Sequence, residues 1–533
     1  MVVKTIQVSR RRVIERVLQR NAWFSRFHSL RFHAALKKKS LNDLAIVQTI
    51  APDKLALDAP VSSLMKKPCK RALMLAATPV RLGALIALGV AHSAFAQSAP
   101  ASTSLWDRAT LFGDMGGVRP WLDNHGVTFG LQETSEYLNN LSGGVHRGGA
   151  YDGLTEMSVG VDTQKAFGLP GGIFNVSALQ IHGTSITQRN LQALQAVSGV
   201  EAEAGTRLWE LWYQQSFANG KADIKIGQQS VDQEFMVSEY AGAFMNATFG
   251  WPVLPSMDMP AGGPAYPLSS LGARLRLTPT NAWTVLAGVF DGSPAGSGSG
   301  DVQRLNAHGT NFNLHDGALF IGEVQYALNA PDSNAPDAKQ SGLPGTYKLG
   351  FWYNTQHFAD QRYDSNGLSL ADPASTGVAQ SHRGDYGFYA GADQMIWRPS
   401  ADSPQALGVF ARVMGAPGDR NLVDLAVNAG VTLKAPFKGR DNDVAGLAVG
   451  YAKIGSHAQG FASDTATFTP GYPARSAETV LEATYQVQIA PWWQVQADFQ
   501  YVFRPGGGVP DPQNSARRVG DEAVVGVRTV VAF

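Results

Sequence analysis

From Val127 onward the chain is written in alternation. In Glu522–Phe533, residues Ala523, Val525, Val527, Thr529, Val531 and Phe533 form one set, and Glu522, Val524, Gly526, Arg528, Val530 and Ala532 form the other. Side chains of a strand switch faces at every residue, so the first set makes an apolar face and the second a mixed face that carries charge. The same period recurs upstream. Val127, Phe129 and Leu131 oppose Thr128, Gly130 and Gln132, and Trp209, Leu211 and Tyr213 oppose Glu210, Trp212 and Gln214. Leu271, Ala273, Leu275 and Leu277 oppose Arg274, Arg276 and Thr278, while Tyr347, Leu349, Phe351 and Tyr353 oppose Lys348, Gly350, Trp352 and Asn354. Leu407, Val409, Ala411 and Val413 oppose Gly408, Phe410 and Arg412; Leu481, Tyr485 and Val487 oppose Glu482, Thr484 and Gln486; Val495, Phe499 and Tyr501 oppose Gln494, Gln496, Asp498 and Gln500. Such runs predict about sixteen strands of roughly ten residues, the length a tilted strand needs to cross a bilayer.

The connections alternate as well. Those near 166–171, 218–221, 279–282, 398–405, 435–442 and 490–492 are short, and those near 183–205, 230–270, 291–316, 355–384 and 454–476 are long. Short turns on one rim and long loops on the other are the rhythm of an all-β transmembrane antiparallel barrel, with periplasmic turns and extracellular loops. The connection 329–344 is longer than its rim predicts. Aromatics gather at strand ends, at Trp209, Trp283, Tyr347, Tyr353, Trp397, Trp492, Trp493 and Tyr501, as an interfacial girdle would. A closing strand whose outward face is apolar fits a barrel bathed in lipid better than a sheet edge in water. On this reading Phe533 is the terminal aromatic that the barrel-insertion machinery reads.

Composition narrows the class. Of 533 residues only 16% are charged and 57 are Gly, and the mean hydropathy of -0.12 is too polar for a bundle of membrane helices. Up to Ala96 there are 17 basic and 4 acidic residues, which leaves 27 basic and 39 acidic residues beyond it, a net charge of −12 that argues against nucleic acid as a partner. The single cysteine, Cys69, rules out a disulfide framework or a Cys metal site in the larger part. No cofactor or metal is expected. The acidic loop residues Asp364, Asp372, Asp441 and Asp443 match no cation-site spacing.

Residues 65–96 read as a secretory signal peptide. Lys66, Lys67, Lys70, Arg71 and Arg81 are its basic part, Leu82–Val90 its short apolar part, and Ala94-Phe95-Ala96 its cleavage site before Gln97. The basic extension 1–64 has no assigned fold; translation is expected to start at Met65, or the extension to leave with the signal. Residues 97–126 read as a short helical segment on the periplasmic side, and 127–533 as the barrel.

Several motifs resemble the carbohydrate-selective porins of the OprB type. Gly113-Asp114-Met115-Gly116-Gly117-Val118-Arg119 is similar to that family's Gly-Asp-Trp-Gly-Gly-x-Arg, with Met115 in place of the Trp. In order follow Asp162-Thr163-Gln164-Lys165, Gly168-Leu169-Pro170-Gly171-Gly172, Leu208–Gln215, Ile226-Gly227-Gln228, Gly262–Pro267, Gly272-Ala273-Arg274 and Pro505-Gly506-Gly507-Gly508. The resemblance covers Leu105 to Phe533 and implies a sixteen-strand outer-membrane barrel, monomeric, that passes glucose-like neutral sugars through a narrow pore lined by arginines and acids.

A sugar channel needs groups that bond hydroxyls and a surface for the ring face. The charged face supplies Arg274, Arg276, Lys348, Arg412 and Arg528 with Glu210, Gln214, Glu323, Gln325, Glu478, Glu482 and Asp498. Trp212 and Trp352 share that parity and are the stacking candidates. The plainer alternative is a solvated wall residue for each charge, and packing against an inserted loop for each Trp. The apolar segment 230–270, with Phe235, Phe244, Phe249, Trp251 and Met257, is the expected inserted loop. A general-diffusion porin and a structural or adhesive barrel remain as alternatives. A secreted sandwich or propeller leaves the loop rhythm unexplained and shows no repeat. An enzyme is disfavoured because His182, His382 and His457 stand near loops without a nucleophile motif.

Overall fold

The computed structural model describes residues 104–330 and 342–533. The expected signal peptide with its Ala96–Gln97 junction, and the extension 1–64, lie outside the described residues. Fifteen strands follow in order: β1 (Val127–Gly144), β2 (Gly148–Asp162), β3 (Gly172–Gly183), β4 (Gly205–Phe217), β5 (Ala222–Gln229), β6 (Ser270–Thr280), β7 (Trp283–Asp291), β8 (Ala318–Leu328), β9 (Gly345–Asp364), β10 (Ala379–Trp397), β11 (Ala406–Gly415), β12 (Val423–Lys434), β13 (Val444–Ile454), β14 (Ala477–Ala490) and β15 (Trp493–Phe503). A small hairpin, β16 (Pro510–Asp511) with β17 (Asn514–Arg518), precedes β18 (Gly520–Ala532). Each of β1 to β15 pairs antiparallel with its sequence neighbour, and β18 bridges β15 and β1, so sixteen strands close a ring with no free edge. Among the described residues no helix is long and apolar enough to cross a membrane. Closure satisfies every strand's backbone from within, which lipid demands.

Parity follows the pattern of the sequence. On β9 Tyr347, Leu349, Phe351 and Tyr353 are exposed outward, while Trp352 and Asn354 are buried inside. Two differences have physical causes. Trp209 was expected on the outer girdle, yet it is buried beside Leu154, Leu179, Ile181 and Val200. Ser177 pairs with Glu210 and Ala178 with Leu208, so Trp209 is the extra residue of a β-bulge, and Arg207 and Trp209 share the inner side with Glu210 and Trp212. The second difference is the expected long loop 355–384. Strand β9 continues to Asp364 and β10 begins at Ala379, with His357 paired to Arg383 and Phe358 to His382. This ladder continues past the strand length a bilayer needs. There its outer face need not be apolar, and the alternation that marks a strand in sequence fades.

The ring closes at a clasp. Phe533 donates its N–H to the Leu131 carbonyl at 2.9 Å, and Leu111 donates to the Ala532 carbonyl at 2.8 Å. Arg119, on the short helix Val118–Asn124, donates to the carbonyls of Gly113 (3.1 Å), Phe129 (3.1 Å) and Phe533 (2.8 Å). The Phe112 and Phe533 rings lie 5.3 Å apart. The Gly113–Arg119 motif thus ties its own loop, β1 and the residue after β18 together. Replacing Arg119 with Ala should cost about 1–3 kcal/mol for the carbonyls it leaves. The check is the temperature at which the folded band converts to the unfolded band on a heated SDS gel, which should fall.

Candidate functional site: a lumen narrowed from within

The segment between β5 and β6 does not stand above the barrel. Its Phe235, Met236, Phe244, Met245, Phe249, Trp251, Val253 and Leu254 are buried, packed on wall residues such as Leu286, Phe290, Trp352, Phe410 and Ala448. The Phe244, Phe249 and Phe410 rings form a triangle with centroids 5.0, 5.8 and 6.0 Å apart. The wall makes room with glycine: a Cβ at Gly446 would meet the Phe244 ring at 2.8 Å. Part of the β3–β4 connection joins it, with Ile186, Leu191 and Val197 buried.

A segment buried in a lumen must find partners for its backbone groups. Charged wall residues supply them. Arg412 donates to the carbonyls of Met236 (2.9 Å), Thr248 (2.9 Å), Phe249 (2.6 Å) and Gly250 (3.0 Å). The last three leave the end of the one-turn helix Ala247–Gly250, where carbonyls lack helical partners. Lys348 donates to the Val237 carbonyl at 2.6 Å. Carboxylates take the N–H side: Glu482 accepts from Met245 and Asn246, and Glu323 from Met236 at 2.7 Å. Glu478 accepts from Leu194 and Gln195 at 2.8 Å each, and Glu210 from Ser230 at 3.0 Å. Asp393 accepts from the Ser238 hydroxyl at 2.6 Å. Gln486 and Gln496 donate to the Ala243 carbonyl at 3.1 and 3.0 Å.

Toward the turn rim lies a charge cluster. Arg274 pairs with Asp223 and with Glu234, and donates to Gln214 at 3.2 Å. Arg276 donates to Asp223 at 2.7 Å, and Lys225 pairs with Glu234. The acids that permit two arginines so close come from the adjacent strand and the inserted loop, rather than from the far wall. Lys225 Nζ sits 4.7 Å from the centroid of the Trp212 ring, whose indole N–H donates to Glu210 at 3.1 Å.

The sequence-derived candidates therefore divide. Trp352 is 1% exposed and packs against the loop, so it presents no open ring face. Arg412, Lys348, Glu482 and Glu210 bind loop backbone. Asp498 is buried and accepts from Gln500 at 2.9 Å, and Arg528 pairs with buried Glu136. Arg276 keeps 26% of its side chain exposed, and Trp212 and Gln214 are half-buried. Sequence reasoning passed over Glu234, which carries no parity signal in a loop, and Asp393, whose inward parity on β10 was readable.

A closed barrel with an apolar outside, long loops on one rim and a lumen narrowed by its own loop defines an outer-membrane porin. The chain belongs to the carbohydrate-selective porin, OprB family, whose model matches residues 146–533, and it is a sugar porin of the Gram-negative outer membrane. It is 26% identical over 445 residues to Porin B of Pseudomonas aeruginosa, covering 80% of this chain and 92% of that protein. It is 21% identical over 425 residues to the putative porin QuiX of Acinetobacter baylyi, covering 75% and 90%. The solved high-pH structure of Pseudomonas putida OprB shares the fold with a TM-score of 0.68 at 23% identity, covering 81% of this chain and all of that one.

Two outcomes follow from the anchoring. Replacing Arg412 with Ala leaves four loop carbonyls without a donor, at about 1–3 kcal/mol each if they stay buried. The loop should loosen, and single-channel conductance in planar bilayers should rise while the barrel stays folded. The second outcome concerns pH. Burial pushes the Glu234 carboxyl up, but the charges of Lys225 and Arg274 outweigh it and hold the group at about 2, below the usual 4.5. A depressed carboxylate contributes stability that is complete above its unfolded value and is lost as pH falls through the folded one. The difference in conductance between the wild type and Glu234→Gln should stay constant from neutral pH down to about 4.5 and close only on approach to about 2. A midpoint near 4.5 would mean that the pairing is absent, and Glu234→Gln should show the low-pH conductance at neutral pH.

Proposed function

We propose that the pore selects small neutral sugars at the charged cluster on the turn side, where Arg276, Gln214 and Trp212 meet the solute. The observation that carries this reading is the division of the wall. Most inward charges are committed to holding the loop, whereas these three keep exposed surface beside a compensated set of charges. Arg274, Asp223, Lys225 and Glu234 neutralise one another, so the cluster offers hydrogen bonds without a strong net field, which suits a polyol better than an ion. Trp212 offers an aromatic surface beside those donors. Trp352 acts as part of the loop's seat. Family membership supports transport over bond chemistry, and the residues present serve weak, reversible binding.

The test is swelling of liposomes that carry the mature protein, with glucose, a disaccharide and a small anion of similar size. Glucose should enter fastest. Arg276→Ala removes about 1 kcal/mol of hydrogen bonding and should raise the glucose half-saturation constant about fivefold. Trp212→Ala should act in the same direction. Equal entry of all three solutes, unchanged by either substitution, would instead mark a general-diffusion channel.

A further inference from the structure

Near the mouth of the barrel the inserted segment meets the wall at a place where buried oxygens outnumber their donors. The short helix Val253–Asp258 ends on Asp258, which is 7% exposed. One of its carboxylate oxygens accepts from the Val423 N–H at 3.2 Å, where β12 begins, and the other has no partner. Asp385 of β10 and Asn421, in the connection that leads into β12, are fully buried. The Asn421 amide N–H donates to one Asp385 oxygen at 2.9 Å. The second Asp385 oxygen and the Asn421 amide oxygen have no partner. The segment 421–423 thus touches Asp385 at one end and Asp258 at the other, and the Asp385 charge acts on Asp258. Three elements each bring one free, buried oxygen to these few residues.

Among the described residues no base is bonded to either carboxylate. Arg420 acts on Asp385, but its guanidinium is bound to both oxygens of Asp419, at 2.8 and 2.9 Å, and to the Gly384 carbonyl at 2.7 Å. Lys453 is held by both oxygens of Asp424 at 2.7 Å. Val253, Leu254, Met259 and Val423 surround the place as part of one apolar cluster. The seat is fixed: the Gly455 N–H donates to the Leu422 carbonyl at 2.8 Å, and its missing side chain lets the next loop lie against the Asn421 carbonyl. Two buried carboxylates this close are costly without a counter-charge. No trio of His, Cys, Asp and Glu is placed to hold a metal among the described residues. This set differs in that its third donor is an amide oxygen, which hard cations accept as readily as a carboxylate.

We propose that Asp258, Asp385 and Asn421 form a calcium site that pins the constricting loop to the mouth of the barrel. Two charges on hard oxygen donors fit a divalent cation that tolerates irregular geometry, and water completes its shell. Zinc is disfavoured, because it prefers nitrogen or sulfur and the imidazoles at this end, His382 and His457, are turned onto Asp360 at 2.8 and 3.0 Å. The acids singled out in sequence are otherwise engaged: Asp364 accepts from the N–H groups of Asn366, Leu368 and Thr376, and Asp443 from Arg440 and Tyr485. The three ligands come from the inserted segment, from β10 and from the β11–β12 connection. A cation shared among them adds a removable anchor to the permanent ones of Arg412 and Lys348. Calcium outside the cell then sets how firmly the lumen is narrowed, whichever solute passes.

The test uses the whole barrel, refolded in detergent without lipopolysaccharide, stripped with EDTA and titrated with calcium chloride in a calorimeter. The wild type should bind one calcium per barrel. Asp258→Asn and Asp385→Asn keep the shape of the site and should each weaken binding about tenfold or more, because affinity follows the number of ligand charges. Asp441→Asn, in the exposed β12–β13 turn, should bind as the wild type does. Calcium should raise the temperature at which the folded band converts on a heated gel, and should leave that of Asp385→Asn unmoved. In planar bilayers EDTA should raise the single-channel conductance of the wild type to that of Asp385→Asn and leave the variant unchanged. Absence of stoichiometric binding, or binding that survives both substitutions, would overturn the proposal. So would Asn variants that are more stable than the wild type at every calcium concentration, which would assign a proton to the carboxylate pair.

Discussion

A backbone polar group buried away from water must find a partner, and this rule acts twice in the same molecule. In the wall it forces sixteen strands into a closed ring, because lipid offers no donor or acceptor to an open edge. In the lumen it acts on the β5–β6 segment, whose apolar side chains draw it inward while its peptide groups resist. The ring satisfies itself by repetition. The inserted segment has no regular ladder and depends on individual side chains, with Arg412 and Lys348 on its carbonyls and Glu482, Glu323 and Glu210 on its N–H groups, while Glu478 does the same for the β3–β4 connection beside it. A charged wall is thus the structural complement of an irregular loop.

This division explains why so few inward charges remain for solute. A charge-assisted hydrogen bond to a buried peptide is stronger than one to a neutral sugar in water, so residues within reach of the loop are drawn to it first. What is left lies where the loop passes over the turn-side wall, and there the ion pairs of Arg274, Asp223, Lys225 and Glu234 cancel most of the field. Burial of such charges without pairing would cost several kcal/mol per ion. Pairing also keeps the passage from holding a charged solute too tightly.

Much of the fold was legible because a lipid-facing strand writes its environment into every second residue. Parity alone placed Arg274, Arg276, Lys348, Arg412, Trp212 and Trp352 on the inner side, and the apolar content of 230–270 pointed to an inserted loop. What parity does not carry is distance from the wall to the next object inside. Arg276 and Arg412 have the same alternating signature, yet one keeps a quarter of its side chain open and the other is locked onto four carbonyls. Trp209 was misplaced because a single extra residue resets the period without changing composition. The upper parts of β9 and β10 were read as loop because, beyond the bilayer, both faces are polar and the ladder leaves no trace in the pattern. Glu234 was passed over since its meaning depends on Lys225 and Arg274, which only the fold brings near.

The same logic separates the two readable surfaces of the wall. Inside, an odd residue can be excused by the loop, so a buried Trp or Glu says little about solute on its own. Outside, lipid excuses nothing, and the expected face is apolar along the whole belt. A carboxylate between Leu131 and Tyr137 therefore carries more information than any single charge in the lumen, even though both are one residue in an alternating strand. The clasp at the seam shows how such exceptions are used: Arg119 approaches the wall at its rim, where carbonyls at the ends of β1 and β18 lack ladder partners. Where the wall departs from its pattern, the departing group brings its own partners, as Glu133 does with Ser135, Thr155 and His182 on the same face.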